Sequence, residues 1–192
     1  MDICIFGGAS PQTEQGFLDL GFETGQAIAR AGHRLVFGGG ANGMMGAAAN
    51  GALSCGGAVT GILPRFLFDR EPPHPGVTDM RVVETMHERK ALMYDNSAAF
   101  IALPGGFGTL EETLEIITWR QLSLHDKPIV FLGDHGFWAG IEGTFDAMFR
   151  SGFLSPRDRT LACFARSAEQ ALAAVSQART EEATAVRGIA NA

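Results

Sequence analysis

Cysteine and long hydrophobic runs are scarce in this sequence of 192 residues. The 3 cysteines are far apart, with no CxxC pair and no cysteine–histidine cluster at metal-ligand spacing, which argues against a disulfide scaffold or a zinc site. Cys4 and Cys163 have apolar neighbours, and we expect both to be reduced, buried thiols. No apolar run is long enough to span a bilayer, and the start of the sequence lacks the pattern of a secretory signal. We therefore expect a cytoplasmic protein that does not act at a membrane.

Positive charge is also in short supply. The chain has 15 Lys and Arg against 21 Asp and Glu, a formal net charge of −6. This balance argues against a nucleic-acid groove, although it is compatible with a local pocket for a small anion. Hydrophobic residues make up 46% of the chain, far from the profile of a disordered protein. We predict one domain over residues 1–179 and a flexible, alanine-rich tail over residues 180–192.

Glycine, by contrast, is abundant and clustered. The 25 glycines are roughly twice the ordinary ~7% usage, and the excess follows short apolar runs, as in turns from strand to helix. Strands alternate with amphipathic segments, which predicts a single α/β domain with a Rossmann-like, doubly wound parallel sheet. The predicted strands are 3–6, 34–37, 58–63, 81–84, 98–103, 127–133 and 161–164, and the predicted helices are 10–31, 43–53, 86–95, 109–122, 137–149 and 168–178. The proline-rich residues 64–75 are interpreted as an irregular surface excursion.

Two glycine-rich loops follow the first two predicted strands, at Gly7–Ser10 and Gly38–Gly43. Glycine lets backbone amides approach an anion closely, and the following helix presents unpaired N–H groups. Neither loop continues as Gly-Lys-Ser/Thr, and neither fits GxGxxG followed by an acidic ribose ligand. A ligand site and a plain tight turn both remain open for these loops.

A third loop, Pro104–Glu112, lies between the most hydrophobic strand and a strong helix. Its three glycines and the hydroxyl of Thr109 at a helix N-terminus form a good cradle for a phosphate monoester. The alternative is a capping box, in which Thr109 and Glu112 satisfy the first amides of the helix. We favour the phosphate cradle because a capped helix does not need the preceding Pro-Gly-Gly. Thr109 and Glu112 share a helix face, whereas Glu111 points roughly 100° away, and the orientation of Glu115 is left undecided.

The segment Met86–Lys90 places basic residues at the start of a predicted helix. Basic residues there oppose the helix dipole, which predicts an anionic partner, although a solvated helix face is the alternative. His87 and Glu88 lack the second histidine of an HExxH zinc site, so metal catalysis is not implied. The remaining histidines have no evident partner and are assigned no role: His33, His74, His125 and His135.

Three motifs occur in order along the chain: GGGxxGMMG at 38–46, MHERK at 86–90 and PGGxGTxxE at 104–112. Together they resemble the LOG (Lonely Guy) family over roughly residues 3–164. The resemblance implies a Rossmann-like fold, commonly a homodimer, and the activity of a cytokinin riboside 5′-monophosphate phosphoribohydrolase without a cofactor. Many members carry the older label of lysine decarboxylase.

Carried over by position, the resemblance makes Arg89 and Glu112 the catalytic pair. The residues that it places around the phosphate are Gly105, Gly106, Gly108 and Thr109. The residues that it places around the rest of the nucleotide are Ser10, Gly39, Gly40, Met86 and Lys90.

The chemistry of N-glycosidic cleavage fits this pair. Breaking the bond develops positive charge on the ribose ring, which a carboxylate beside the anomeric carbon can stabilise while it orients or deprotonates a water. Glu112 is the candidate carboxylate. A guanidinium keeps its proton in proteins and cannot act as an acid, so Arg89 is assigned an electrostatic and orienting role. The expected products are adenine, or an N6-substituted adenine, and ribose 5-phosphate.

Two other functions are weighed against hydrolysis. A carrier of a nucleotide-like or pterin cofactor would use the same cleft, but a pure carrier needs neither Arg89 nor Glu112. An amino-acid decarboxylase would need a lysine for a pyridoxal phosphate Schiff base. The lysines are Lys90 and Lys127, and no sequence context marks either of them for that role.

Overall fold

The computed structural model describes residues 1–133 and 136–190. Within these ranges, seven strands and six α-helices follow one another. The strands are β1 (Asp2–Phe6), β2 (Arg34–Phe37), β3 (Val59–Pro64), β4 (Asp79–Val83), β5 (Ala99–Ala102), β6 (Ile129–Leu132) and β7 (Cys163–Ala165). The helices are α1 (Gln15–Arg30), α2 (Gly43–Ser54), α3 (Met86–Asp95), α4 (Phe107–Gln121), α5 (Ala139–Arg150) and α6 (Ala168–Ala190).

The strands form one parallel sheet in the order β4-β3-β2-β1-β5-β6-β7. The chain winds outward from β1 to β4 and then returns to the other side of β1 as β5. This reversal between β1 and β5 is the switch point at which doubly wound sheets bind ligands. The predicted fold class, a Rossmann-like doubly wound parallel sheet in a single α/β domain, is confirmed.

Helices cover both faces of the sheet, and each face has its own hydrophobic core. One core joins the sheet to α1, α2 and α6, and the other joins it to α3, α4 and α5. The central strands are buried on both faces, with Ile5, Phe37 and Ile101 fully inaccessible. Burial on both faces explains why these strands read as continuous apolar runs instead of alternating patterns.

Small residues let α2 pack unusually close to α1. A Cβ atom on Gly25 would lie 1.9 Å from the carbonyl oxygen of Ala48, and one on Gly51 would lie 1.9 Å from that of Phe22. Since no real Cβ approaches a carbonyl so closely, both glycines are required by the helix contact. This packing holds the N-terminus of α2 beside the loop that follows β1, where the Met44 N–H donates to the Gly8 carbonyl (2.8 Å).

Several boundaries differ from the sequence prediction. The first helix begins at Gln15, not at Ser10, because Ser10 forms a turn: its hydroxyl accepts the Gln12 N–H (3.2 Å), and its carbonyl accepts the Thr13 hydroxyl (2.8 Å). The excursion after β3 includes a short 3₁₀ helix, Arg65–Leu67. Helix α6 continues to Ala190, and residues 191–192 of the predicted flexible tail lie outside the described residues. The domain limits stay a prediction.

The cysteine prediction is half right. Cys4 is a buried free thiol, but Cys163 is exposed because it opens the edge strand β7. Among the described residues, no cluster of histidine, cysteine or acidic side chains is arranged to hold a metal ion. None of the helices in the described part of the chain has both the length and the hydrophobicity needed to cross a bilayer.

Candidate active site

The loops that follow β1 and β5 meet at the carboxyl edge of the sheet. Because the two strands are neighbours, the Gly8 N–H donates to the Pro104 carbonyl (3.0 Å). A cavity of about 500 Å³ opens at this point, between the loops and residues 66–71. Its walls are formed by Gly7, Gly8, Ala9, Ser10, Met45, Phe66, Leu67, Glu71, Met86, Arg89, Gly106, Gly108, Thr109, Glu111 and Glu112.

Glu112 faces this cavity from the second turn of α4. The residue is only 8% exposed, and burial raises the pKa of its carboxyl to about 7, against an opposing effect of the Arg89 charge. The nearby carboxylates Glu111 and Glu71 raise this pKa further. Near neutral pH, Glu112 therefore exchanges between a carboxylate and a protonated acid, the property required of a general base.

The N-terminus of α4 does not form the capping box considered above. The N-cap is Gly106, which has no side chain to offer, and the helix starts at Phe107, so that Thr109 is already inside the first turn. The capping box forms instead on α3, where Thr85 and Glu88 cap each other's backbone amides. The N-cap residue therefore gives the first amides of α4 no side-chain cap, and Gly106, Gly108 and Thr109 at this end of the helix line the cavity.

The glycines of the third loop differ in the space around them. A Cβ on Gly105 would lie 2.1 Å from the Thr109 hydroxyl and 2.7 Å from the Gly8 nitrogen, so only glycine fits. A Cβ on Gly106 or on Gly108 would meet nothing within 4 Å. The space over these two glycines is open to the cavity, as a site for a ligand would be.

Arg89 is buried in the cavity wall, with only 5% of its side chain exposed. Its Nη2 donates to the Gly38 carbonyl (3.1 Å) and lies 3.7 Å from Oε2 of Glu71. A Cβ on Gly38 would lie 1.9 Å from the same Nη2, so the first glycine of the second loop makes room for the guanidinium. The Nε of Arg89 and the Oε2 of Glu71 are both buried without a hydrogen-bond partner.

The basic residues of α3, which were predicted to need an anionic partner, find carboxylates within the protein. Arg89 lies against Glu71, and Lys90 makes ion pairs with Glu111 (2.5 Å) and Glu115 (3.0 Å) on α4. Lys90 therefore does not line the cavity, and Glu115 turns toward this lysine. The two ion pairs join the helix that carries Arg89 to the helix that carries Glu112.

The predicted site residues divide into three groups. Those that line the cavity are Ser10, Met86, Arg89, Gly106, Gly108, Thr109 and Glu112. Gly105 faces an adjoining pocket of about 320 Å³. Gly39, Gly40 and Lys90 are not among the residues that line the cavity. Gly39 has a positive φ of 83° and lies close to Leu63, and Gly40 forms an isolated bridge with Pro73.

Comparison with known proteins places the chain in a family. A family profile described as possible lysine decarboxylase matches residues 45–175. A cytokinin riboside 5′-monophosphate phosphoribohydrolase of Rhodococcoides fascians is 41% identical over 174 residues, which cover 90% of this chain and 88% of that protein. A phosphoribohydrolase of the same description from Arabidopsis thaliana is 40% identical over 168 residues, 88% of this chain and 79% of that protein. The chain belongs to the LOG family.

Solved structures with the same fold include proteins outside the LOG phosphoribohydrolases. The molybdenum cofactor carrier protein of Chlamydomonas reinhardtii superimposes with a TM-score of 0.72 at 24% identity, over 93% of this chain and 98% of that chain. A molybdenum cofactor binding protein of Rippkaea orientalis gives a TM-score of 0.71 at 23% identity, over 92% and 95% of the two chains. At this identity the likeness concerns the fold alone.

One wall of the cavity is formed by residues outside the three motifs that indicated the LOG family. Phe66, Leu67 and Glu71 come from the excursion after β3, which was interpreted only as surface. A lone glutamate among prolines carries no sequence signal for a site, since its approach to Arg89 depends on the path of the chain.

The expectation that the histidines have no partners is wrong for those that the structure describes. His74 Nε2 lies 3.1 Å from Asn50 Oδ1, His125 Nε2 lies 2.9 Å from the Ile116 carbonyl, and His33 Nδ1 lies 3.4 Å from the amino terminus. His135 lies outside the described residues.

Proposed function

We propose that this LOG-family protein hydrolyses the N-glycosidic bond of adenine-type nucleoside 5′-monophosphates, namely cytokinin riboside 5′-monophosphate, AMP or both. The products are the free base and ribose 5-phosphate. One observation carries the proposal: a buried carboxyl with a pKa of about 7, Glu112, lines the same cavity as a buried arginine and an open glycine-rich helix N-terminus. The phosphoribohydrolases that share about 40% of its sequence support the same substrate class.

The phosphate is assigned to the first turn of α4. Free amides at a helix N-terminus, together with the partial positive charge of the helix dipole, bind phosphate oxygens. Gly106 and Gly108 leave open space there, and the buried Thr109 lines the cavity beside them. Binding energy from this remote group holds the scissile bond near Glu112, and Gly105 supports the cradle from behind.

Glu112 is assigned the reacting carboxylate. In its ionised form it stabilises the positive charge that develops on the ribose ring and takes a proton from the attacking water. The hydroxyl of that water joins the anomeric carbon, the C–N bond breaks, and the base leaves with one proton, so each cycle consumes one water. A pKa of about 7 lets Glu112 accept the proton and release it again near neutral pH.

Arg89 and Glu71 are assigned to the sugar and its surroundings. Neither Arg89 Nε, a donor, nor Glu71 Oε2, an acceptor, makes a hydrogen bond within the described residues, although Oε2 is ion-paired with Arg89 Nη2. A carboxylate repels phosphate but accepts readily from a hydroxyl, so Glu71 suits a ribose hydroxyl. Ser10 and Met86 are assigned to the rest of the nucleotide, while Gly39, Gly40 and Lys90 act through the cavity wall. The cytoplasmic location stays a prediction from the sequence, and the homodimer stays a prediction from the family, which light scattering tests.

Decarboxylation is disfavoured by the surroundings of the lysines. Lys90 is held by two carboxylates, and Lys127 Nζ lies 3.6 Å from the centre of the Tyr94 ring and donates to the Tyr94 carbonyl (2.7 Å). Neither lysine lines the cavity, so neither is placed to form a Schiff base with a cofactor bound there.

Incubation with AMP and with isopentenyl-AMP, without added metal or cofactor, tests the proposal by chromatography of the products. Free base with ribose 5-phosphate is the expected result, and the ratio of the two rates reports the preferred base. Adenosine is the matched control, since a substrate without phosphate should react poorly. Intact AMP that remains bound would favour the carrier function instead.

A further inference from the structure

One wall of the cavity is a strap, residues 65–76, that leaves β3 and crosses the second glycine loop. Two backbone hydrogen bonds join the strap to that loop: the Ala41 N–H of the loop donates to the Pro72 carbonyl (2.8 Å), and the His74 N–H of the strap donates to the Gly39 carbonyl (2.9 Å). The strap carries Glu71, whose Oε2 lies 3.7 Å from Arg89 Nη2. The position of this carboxylate therefore depends on how firmly the strap is held.

Within the strap, which the structure describes in full, His74 is the one buried residue. The other residues are exposed or half-buried, including Phe66 at 59% exposure. A segment with so little buried apolar surface has a low local free energy of unfolding unless specific contacts tie it down. His74, only 5% exposed, is therefore the natural anchor.

The contacts of the His74 ring define its protonation. The Gly76 N–H donates to Nδ1 (3.2 Å), so Nδ1 carries no proton, and Nε2 carries it and donates to Asn50 Oδ1 on α2 (3.1 Å). Burial lowers the pKa of this imidazole, which maintains the neutral ring. Its edge also packs on Phe37, with 6.3 Å between ring centroids and an interplanar angle of 80°.

These contacts link the strap to the parts of the fold that hold Arg89. Phe37 ends β2 and precedes Gly38, whose carbonyl accepts from Arg89 Nη2. Asn50 lies on α2, whose N-terminus borders the cavity through Met45. His74 thus connects the end of β2, α2 and the strap within a few ångströms.

We infer that His74 is a positioning residue that anchors the strap to α2 and β2 and so holds Glu71 at Arg89 in the binding cavity. It does not touch the substrate, and it acts through Glu71. This inference rests on the proposed function for its kinetic effects, but the anchoring itself does not.

The test uses His74→Phe, which keeps ring volume but removes both hydrogen bonds, and Asn50→Ala, which removes one partner from an exposed helix position. Losing two hydrogen bonds should raise KM for the nucleotide by about 10-fold, with a smaller change in kcat. In a protein that already carries Glu71→Gln, His74→Phe should raise KM little further, because the carboxylate that His74 positions is already absent. Val175→Ala, a truncation on the buried face of α6 at a residue that does not line the cavity, is the control for general destabilisation and should leave KM unchanged.

Hydrogen exchange provides a readout independent of activity. The amides of Ala41 and His74, which form the strap bridge, should exchange at least about 10-fold faster in His74→Phe and in Asn50→Ala. If the wild-type protein hydrolyses no nucleotide but these amides still exchange faster in the two variants, the proposed function is wrong and the anchoring role of His74 is supported. Unchanged exchange in both variants, or an equal rise in KM with and without Glu71, overturns the inference.

Discussion

Replacing Glu112 by glutamine should stabilise the protein above neutral pH while abolishing hydrolysis. Glutamine has nearly the volume of glutamate and imitates its protonated form, so it removes the charge without opening a cavity. The pKa of Glu112 is raised from 4.5 to about 7 in the fold. A carboxyl with a raised pKa favours folding below pH 4.5, and this contribution is lost as pH rises through about 7.

The size of the effect follows from the same shift. At ~1.36 kcal/mol per pKa unit, ionising the buried carboxyl costs the wild type about 3 kcal/mol at pH 8. Glu112→Gln avoids this cost. For a chain of this size, the difference corresponds to a Tm about 6–12 °C higher than that of the wild type.

Calorimetric melting curves from pH 4 to pH 8, with AMP hydrolysis measured on the same samples, test this prediction. The two Tm values should converge at pH 4 and separate as the pH rises, while wild-type activity increases through pH 7. Glu142→Gln, an exposed position in the first turn of α5, is the matched control and should show no gain in Tm. Equal Tm values for Glu112→Gln and the wild type at pH 8, or full activity of this variant, would refute the reasoning.

Four further predictions concern the cradle, the helix packing and the link between α3 and α4. Gly105→Ala should lose AMP binding because its Cβ would lie 2.1 Å from the Thr109 hydroxyl. Gly106→Val should melt like the wild type yet bind AMP at least about 10-fold more weakly by calorimetry, and unchanged affinity would reject the cradle. Gly25→Ala should cost about 1–3 kcal/mol in urea unfolding, because its Cβ would lie 1.9 Å from a carbonyl of α2; an unchanged midpoint would contradict that packing. Lys90→Met should lower kcat with a loss of at most about 1 kcal/mol in stability, and an unaltered kcat would show that its ion pairs do not position the site.

Much of the fold could be predicted from local pattern. Strands buried on both faces appear as continuous apolar runs. Helix α3, Met86–Asp95, has the bounds that the sequence predicted. The predicted helix starts were wrong where a side chain hydrogen-bonds the backbone in a turn, and where a glycine is the N-cap. Ser10 uses its hydroxyl and carbonyl in a turn, which delays α1 to Gln15, and the backbone of Gly106 starts α4 before Thr109.

The candidate site was predictable where the motif and the cavity wall coincide. Gly106, Gly108 and Thr109 occur together on one loop and one helix turn, so their common position follows from a few neighbouring residues. Partners far apart in sequence were not predictable. Lys90 meets carboxylates on α4, and Glu71 reaches Arg89 only because the strap crosses the second glycine loop.

The sequence by itself determined the alternation of strands and helices, the glycine loops at the carboxyl edge of the sheet and the family to which the motifs belong. These features are local, because they depend on periodicity and on the conformational freedom of glycine. Only the tertiary structure decided the chemistry of Glu112. The pKa of its carboxyl depends on burial in α4 and on the charges of Arg89 and Glu71, which three separate segments of the chain bring to one cavity.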